Sequence, residues 1–272
     1  MQSVSFDRAA GFYDATRGYA PGSAERIRDG IVAATNASRS TRFLEIGIGT
    51  GRIALPFLAA GYRYAGVDLS RAMLRVLQGK LPGDSPQLVV GDATRLPFAD
   101  GHADVGIAVH VLHLVADWRA TLREAYRVLR RPGGQLLLAG DTGADEDSPD
   151  LAAPAPVQAQ RAWREILAAL GHPVRTGQPG IRLHDPAVRA ELEALGAQVH
   201  ELDLAEYERP PISARTVARG YHDRIYSSDW ARPDAIHAEA LARLDAWLAT
   251  CPDPDTPYTL RGRFRAVLAR WE

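Results

Sequence analysis

The stretch Phe43-Leu-Glu-Ile-Gly-Ile-Gly-Thr-Gly-Arg-Ile-Ala-Leu-Pro-Phe-Leu58 decides the fold. A short apolar run carries an acidic residue near its end and then glycine at every second position, before an apolar-periodic segment resumes. The pattern predicts strand, tight turn and helix. Glycine is informative there because a backbone without Cβ adopts unusual φ/ψ values and lets a ligand lie directly against the main chain. Gly47, Gly49 and Gly51, with Thr50 between them, form that floor.

The spacing discriminates between ligands. A dinucleotide fold wants G-x-G-x-x-G with a pyrophosphate at the helix N-terminus. Here the pattern is Glu45-x-Gly47-x-Gly49-x-Gly51, and Glu45 would repel a pyrophosphate. A zwitterionic or cationic ligand fits better, with a carboxylate near the Gly51 and Arg52 amides at the expected helix start and an ammonium near the turn carbonyls and Glu45. S-adenosylmethionine (SAM) carries these groups and a sulfonium. The stretch resembles the first motif, E/D-x-G-x-G-x-G, of the class I SAM-dependent methyltransferases.

Later elements fall in the order a doubly wound sheet requires. Tyr64-Ala-Gly-Val-Asp68 is a second apolar run ending in a carboxylate, 17 positions beyond Gly51, near the ~20-residue interval that brings an acid onto ribose hydroxyls. Ser70 suits the N-cap of a helix from Arg71 to Leu77. Gln87-Leu-Val-Val90 is a third run, followed by Gly91-Asp92-Ala93-Thr94. Ala103 to Val109 is a fourth strand, leading into His110 and His113. An amphipathic helix from Asp117 to Arg130, the turn Arg131-Pro-Gly-Gly134 and a strand from Gln135 to Ala139 follow. This last helix–turn–strand resembles small-molecule methyltransferases, including the ubiquinone-pathway type.

The resemblance covers residues 40 to 141 and implies an α/β fold: a doubly wound, seven-stranded, mostly parallel sheet of Rossmann-like methyltransferase type. It also implies roles. Asp68 is the ribose ligand, Leu69 and Met73 flank the adenosine, Asp92 accepts from the adenine amino group, and the Ala93 backbone meets a ring nitrogen. Helix core is the alternative for Met73, and a simple turn the alternative for Asp-Ala-Thr. In the N-terminal segment, Tyr13 and Arg17 match a Tyr-Asp-x-x-Arg flap pattern in which Arg17 pairs with the SAM carboxylate; a surface arginine on a frayed terminus is the alternative.

Methyl transfer is an in-line displacement, so alignment and exclusion of water matter most and a general base is optional. His113 is the first candidate base and His110 the second; His110 also falls where the cofactor is expected. Each also reads as a structural histidine at a strand end. Two histidines without a third ligand make an incomplete metal site, so no metal is expected.

The chain has 272 residues, 32 basic and 33 acidic, with a net charge of −1 and 46% hydrophobic residues. Such composition suits a globular domain with an ample core and argues against a nucleic-acid partner. No apolar run is long enough to span a bilayer and no signal pattern is present, so no membrane partner and a cytoplasmic location are expected. The single cysteine, Cys251, excludes an intramolecular disulfide. A homodimer is compatible with all of this.

The expected division is an N-terminal flap and first helix (1–40), a SAM-binding core (41–141), an inserted helical lid (142–195), and C-terminal strands with a helical insertion (196–272). The lid contains an acidic run at 141–150, a helix near 158–170, Gly/Pro breaks at 171–173 and 177–180, and a helix from Pro186 to Leu195 stopped by Gly196. Gln198 to Leu204 alternates as strand six, Ser213 to Tyr226 and Pro233 to Leu248 read as helices, and Arg263 to Trp271 as the closing strand. Three functions follow: a SAM-dependent methyltransferase acting on an O, N or C nucleophile of a small molecule, a SAM-binding accessory or regulatory protein without transfer, and, disfavoured by the glycine spacing, a nicotinamide-dependent oxidoreductase.

Overall fold

The structure, a computed structural model, describes residues 3–82, 86–143, 153–173, 181 and 183–272. The chain divides into two compact units: Met1–Asp141, Pro179–Tyr207 and Arg263–Glu272 form the first, Thr142–Gln178 and Glu208–Gly262 the second.

In chain order the elements are α1 (Tyr13–Arg17), α2 (Ser23–Thr35), β1 (Arg42–Ile46), α3 (Ala54–Ala59), β2 (Arg63–Asp68), α4 (Arg71–Gln78), β3 (Gln87–Val90), β4 (Val105–Val109), α5 (Trp118–Val128), β5 (Gln135–Gly143), α6 (Ala155–Ala169), α7 (Pro186–Ala194), β6 (Gln198–Glu208), α8 (Ala214–His222), α9 (Asp234–Thr250) and β7 (Arg261–Arg270). The strands form one seven-stranded sheet in the order β3-β2-β1-β4-β5-β7-β6. β1 to β5 pair in parallel, so their C-terminal ends share one edge, the edge where open α/β sheets take ligands.

Strands buried on both faces need apolar residues at consecutive positions, and β1 supplies them. Phe43 joins Ile27 and Ile31 of α2, Phe57 of α3 and Leu77 of α4 on one face. Leu44 and Ile46 join Leu122 and Val128 of α5 and Val188 and Leu192 of α7 on the other. β4 and β5 alternate in the same way, Ile107 and Leu137 facing the first layer, Ala108, Leu136 and Leu138 the second.

Helix ends follow their capping residues. Ser70 accepts from Met73 N–H, Asp117 from Ala120 N–H, Asp185 from Ala187 N–H and Ser213 from Thr216 N–H. Gly196, at φ 84°, turns the chain after α7 as expected.

Several boundaries differ from expectation. The helix after the glycine turn begins at Ala54 rather than at Gly51–Arg52, because Gly51 at φ 85° lies outside the helical region. β5 runs on through Gly143. β6 extends to Glu208, past the polar residues that ended its sequence pattern. α8 stops at His222, and a 3-10 turn at Ser227–Asp229 follows. α7 belongs to the sheet unit, with its apolar face on α5, rather than to the inserted helices. Most of the expected acidic run, 144–150, and the break at 177–180 lie outside the described residues.

The second unit is helical, and α6, α8 and α9 share an apolar core. Trp163 stacks on Tyr221 at 4.4 Å and 18°. No helix among the described residues is long and apolar enough to cross a membrane.

Candidate functional site

The candidate site lies within the sheet unit, at the C-terminal ends of β1 to β5. Gly47, Gly49 and Gly51 have φ of 75°, 56° and 85°, values that only glycine adopts at little cost. Space divides their roles. A Cβ at Gly47 would lie 2.4 Å from Val111 Cγ2, and one at Gly51 2.4 Å from Leu77 Cδ1. At Gly49 only Met73 Cε comes within range, at 3.6 Å. The middle glycine therefore presents open backbone, while the outer two are demanded by packing beneath the turn. Met73 is buried, and serves as helix core under Gly49.

Asp68 ends β2. Its Oδ2 accepts from Gly49 N–H and its Oδ1 from Ser70 N–H, both at 2.8 Å. Burial pushes its carboxyl up, against these two bonds that lower it. Each carboxylate oxygen retains capacity for a further donor. Leu69 and Val90, at the ends of β2 and β3, are the exposed large hydrophobic residues among the described residues, at 37% and 43%. Asp92 Oδ1 accepts from Thr94 N–H and Oγ1 at 2.8 and 2.9 Å, which leaves Ala93 inside the turn.

Glu45 behaves differently. It shares a strand face with Phe43, is 2% exposed, and its Oε2 accepts from Tyr64 OH at 2.9 Å. Burial pushes its carboxyl up to about 8, outweighing the Tyr64 bond and the Arg52 charge. Thr50 is buried and donates to Asp14 Oδ1 at 2.6 Å. Lys80 closes that corner, on Asp14 at 2.6 Å and Thr50 O at 2.8 Å.

The N-terminal segment touches each strand end in turn. Ser3 Oγ reaches Asp92 Oδ2 at 3.5 Å and accepts from Ala116 N–H at 3.0 Å. Asp7 accepts from Ser70 Oγ at 2.6 Å and from Ala72 N–H at 3.2 Å. Tyr13 packs edge-on against Phe6 at 6.2 Å, and Arg17 O accepts from Arg52 at 3.2 Å.

A buried polar cluster closes the β4–β5 end, and its centre, Asp141, was not among the residues expected from sequence. Asp141 Oδ2 pairs with Arg52 Nη1 at 3.1 Å, and its Oδ1 accepts from Tyr19 OH at 3.1 Å and Tyr207 OH at 2.7 Å. Burial alone would raise its carboxyl, yet Arg52 and the His110 and Tyr207 bonds hold it well below the usual range. Arg52 also lies 4.5 Å from the Tyr19 ring centroid. The available signal was a carboxylate at the end of an apolar strand, the same signal that pointed to Asp68. His110 joins this cluster, and His113 meets His110 edge-on, with ring centroids 6.4 Å apart and an interplanar angle of 81°. Burial and then the His110 charge lower His113 to about 4, so it is neutral at physiological pH. Among the described residues no group of three or more His, Cys, Asp or Glu side chains could hold a metal ion.

A glycine floor, a strand-end carboxylate beside it and two exposed apolar side chains thus share the C-terminal edge of the parallel strands. A methyltransferase domain model matches residues 44–138. The chain is 36% identical over 138 residues to a demethylmenaquinone methyltransferase of Renibacterium salmoninarum, across 50% of this chain and 57% of that protein. It is 33% identical over 147 residues to a ubiquinone/menaquinone biosynthesis C-methyltransferase UbiE of a Caulobacter strain, across 48% and 57%. The chain thus spans little more than half the length of these relatives. The crystal structure of the YcgJ protein of a Bacillus matches with TM-score 0.54 at 19% identity, covering 90% of this chain and 98% of that one. Residues 44–138 thus match a methyltransferase domain, and the chain is similar to these methyltransferases over about half of its length.

Proposed function

We propose that this chain transfers the sulfonium methyl group of SAM to an O, N or C nucleophile of a small molecule. The observation that carries the reading is the juxtaposition of Asp68 with open backbone at Gly49 and with exposed Leu69 and Val90. These groups fit the cofactor. Ribose hydroxyls would donate to Asp68, the adenine would lie on Leu69 and Val90 with Asp92 and Ala93 at its polar edge, and the amino-acid end would meet the Gly47–Gly51 turn, with Tyr13 and Arg17 from the N-terminal segment. When bound, SAM supplies a methyl group on a positively charged sulfur, whose departure leaves a neutral thioether.

The chain's own contribution is positioning. Asp68 is fixed by two backbone donors before any ligand arrives, so little ordering is required on binding. Glu45 adds negative charge near the turn only when ionised. One relative is named a demethylmenaquinone methyltransferase and the other a ubiquinone/menaquinone biosynthesis C-methyltransferase, so a reduced quinone-type aromatic is the acceptor class to try first. The test is incubation with methyl-labelled SAM and a panel of hydroquinone, phenol and amine acceptors. Label in an acceptor supports the reading; tight SAM binding with no transfer to any class favours an accessory protein.

A further inference from the structure

His110 directly follows β4 and has φ 56°, a left-handed conformation uncommon outside glycine. Such conformations persist where surroundings fix them, and here two features do. Gly140, on the neighbouring strand, leaves room for the imidazole: a Cβ there would lie 3.2 Å from His110 Cε1 and 3.5 Å from Nδ1. Asp141 then grips the ring from one side only. Its carboxylate Oδ2 lies 3.1 Å from Nε2, and its own backbone N–H points at the same Nε2 from 3.0 Å.

Nε2 cannot serve both, because a neutral imidazole nitrogen either carries a proton or offers a lone pair. With Nε2 bare, its lone pair meets the amide N–H but faces a carboxylate oxygen. With Nε2 protonated, it donates to that carboxylate, a charge-assisted bond roughly twice as strong as a neutral one. The second state wins on that comparison. Nδ1 is then the bare nitrogen; it makes no hydrogen bond among the described residues, and the side chain is 38% exposed.

We infer that Asp141 is a positioning residue that holds His110 as its Nε2–H tautomer, and that His110 Nδ1 takes the proton of a hydroxyl-bearing acceptor. The inference rests on the methyl-transfer reading and narrows its acceptor to a mildly acidic hydroxyl, phenolic or enolic. The acceptor O–H bond breaks, its proton moves to Nδ1, and its electron pair stays on the acceptor as the nucleophile. The resulting imidazolium keeps Nε2–H on Asp141 and later releases the Nδ1 proton to solvent. The remaining groups around the ring suit this step. Arg52 and Asp141 offset each other's charge, Tyr19 and Tyr207 bind the other carboxylate oxygen, and His113 is neutral.

The test is histidine 15N NMR on the full chain with S-adenosylhomocysteine (SAH), at mildly alkaline pH. The expected result is a protonated Nε2 in the wild type and a larger share of Nδ1–H tautomer in Asp141→Asn. A wild-type ring in the Nδ1–H form overturns the assignment. Where Asp141→Asn does not fold, Gly140→Ala provides the second arm, because it crowds the ring without altering charge, and an unchanged tautomer signal there counts against the geometry. In parallel, 4-nitrophenol is titrated into the SAH complex. Bound phenolate colour in the wild type that is lost in His110→Asn supports the base. Binding as neutral phenol, equal colour in His110→Asn, or no binding overturns it. Calorimetry with SAH alone separates the two readings, since SAH binding with a failed tautomer test removes only the dyad, whereas no SAH binding removes methyl transfer itself.

Discussion

The Tyr64 hydroxyl lies 2.9 Å from Glu45 Oε2, inside the layer between the sheet and its helices, and both side chains are buried. The bond ties β1 to β2 at the point where the glycine turn begins. Because burial raises the Glu45 carboxyl from 4.5 to about 8 in the folded chain, folding at neutral pH requires it to take up a proton. The sign follows from linkage: a raised carboxyl favours the folded state below the unfolded value and loses that advantage as pH rises through the folded one.

Glu45→Gln keeps an acceptor for Tyr64 and removes the charge. Urea midpoints for the wild type should fall between about pH 5 and pH 8.5 while those of Glu45→Gln stay nearly level, the gap at the upper end being on the order of 3–5 kcal/mol. Parallel pH dependences for the two proteins would show that Glu45 ionises freely in the fold.

The three glycines should separate stability from binding. Gly51→Ala forces a Cβ against Leu77 at a positive φ and should cost about 2–4 kcal/mol of stability. Gly49→Ala meets only Met73 and should cost about 1–2 kcal/mol, as backbone strain alone, yet weaken SAH binding at least tenfold. Thermal melts and calorimetry on both variants check this; equal loss of binding per unit of lost stability would contradict the division.

Asp7 and Asp14 fasten the N-terminal segment to Ser70 and Thr50. Removing either carboxylate should loosen the segment without unfolding the sheet. In limited proteolysis, trypsin should cut after Arg8 and Arg17 several-fold faster in Asp7→Ala and Asp14→Ala than in the wild type, and SAH should slow cleavage in all three. Cleavage indifferent to SAH would detach this segment from the ligand site.

Much of the site was legible in sequence because it is local. Asp68, Asp92 and the glycine turn each sit at the end of an apolar run, where strand periodicity alone places them at one sheet edge. Glu45 shows what pattern reading overlooks: it shares a strand face with Phe43, so alternation already turned it toward the helices, although its place in the motif suggested a ligand contact. Asp141 was hidden at the head of an acidic, loop-like run, since the extension of β5 through Gly143 depends on neighbours distant in sequence. Tyr207 was hidden likewise, β6 being lengthened by pairing with β7. The placement of α7 in the sheet unit rests on its apolar contacts with α5, which no local pattern records.

The central claim is that Asp68 and the glycine floor bind an adenosyl amino acid, and calorimetric titration with SAH and with NADH, on the wild type and Asp68→Ala, tests it most directly. The expected result is micromolar SAH binding, no NADH binding, and SAH affinity weaker by about 2–4 kcal/mol in a folded Asp68→Ala, the worth of a pair of hydrogen bonds to a charged group. NADH binding in place of SAH, or SAH affinity unchanged by the substitution, would contradict it.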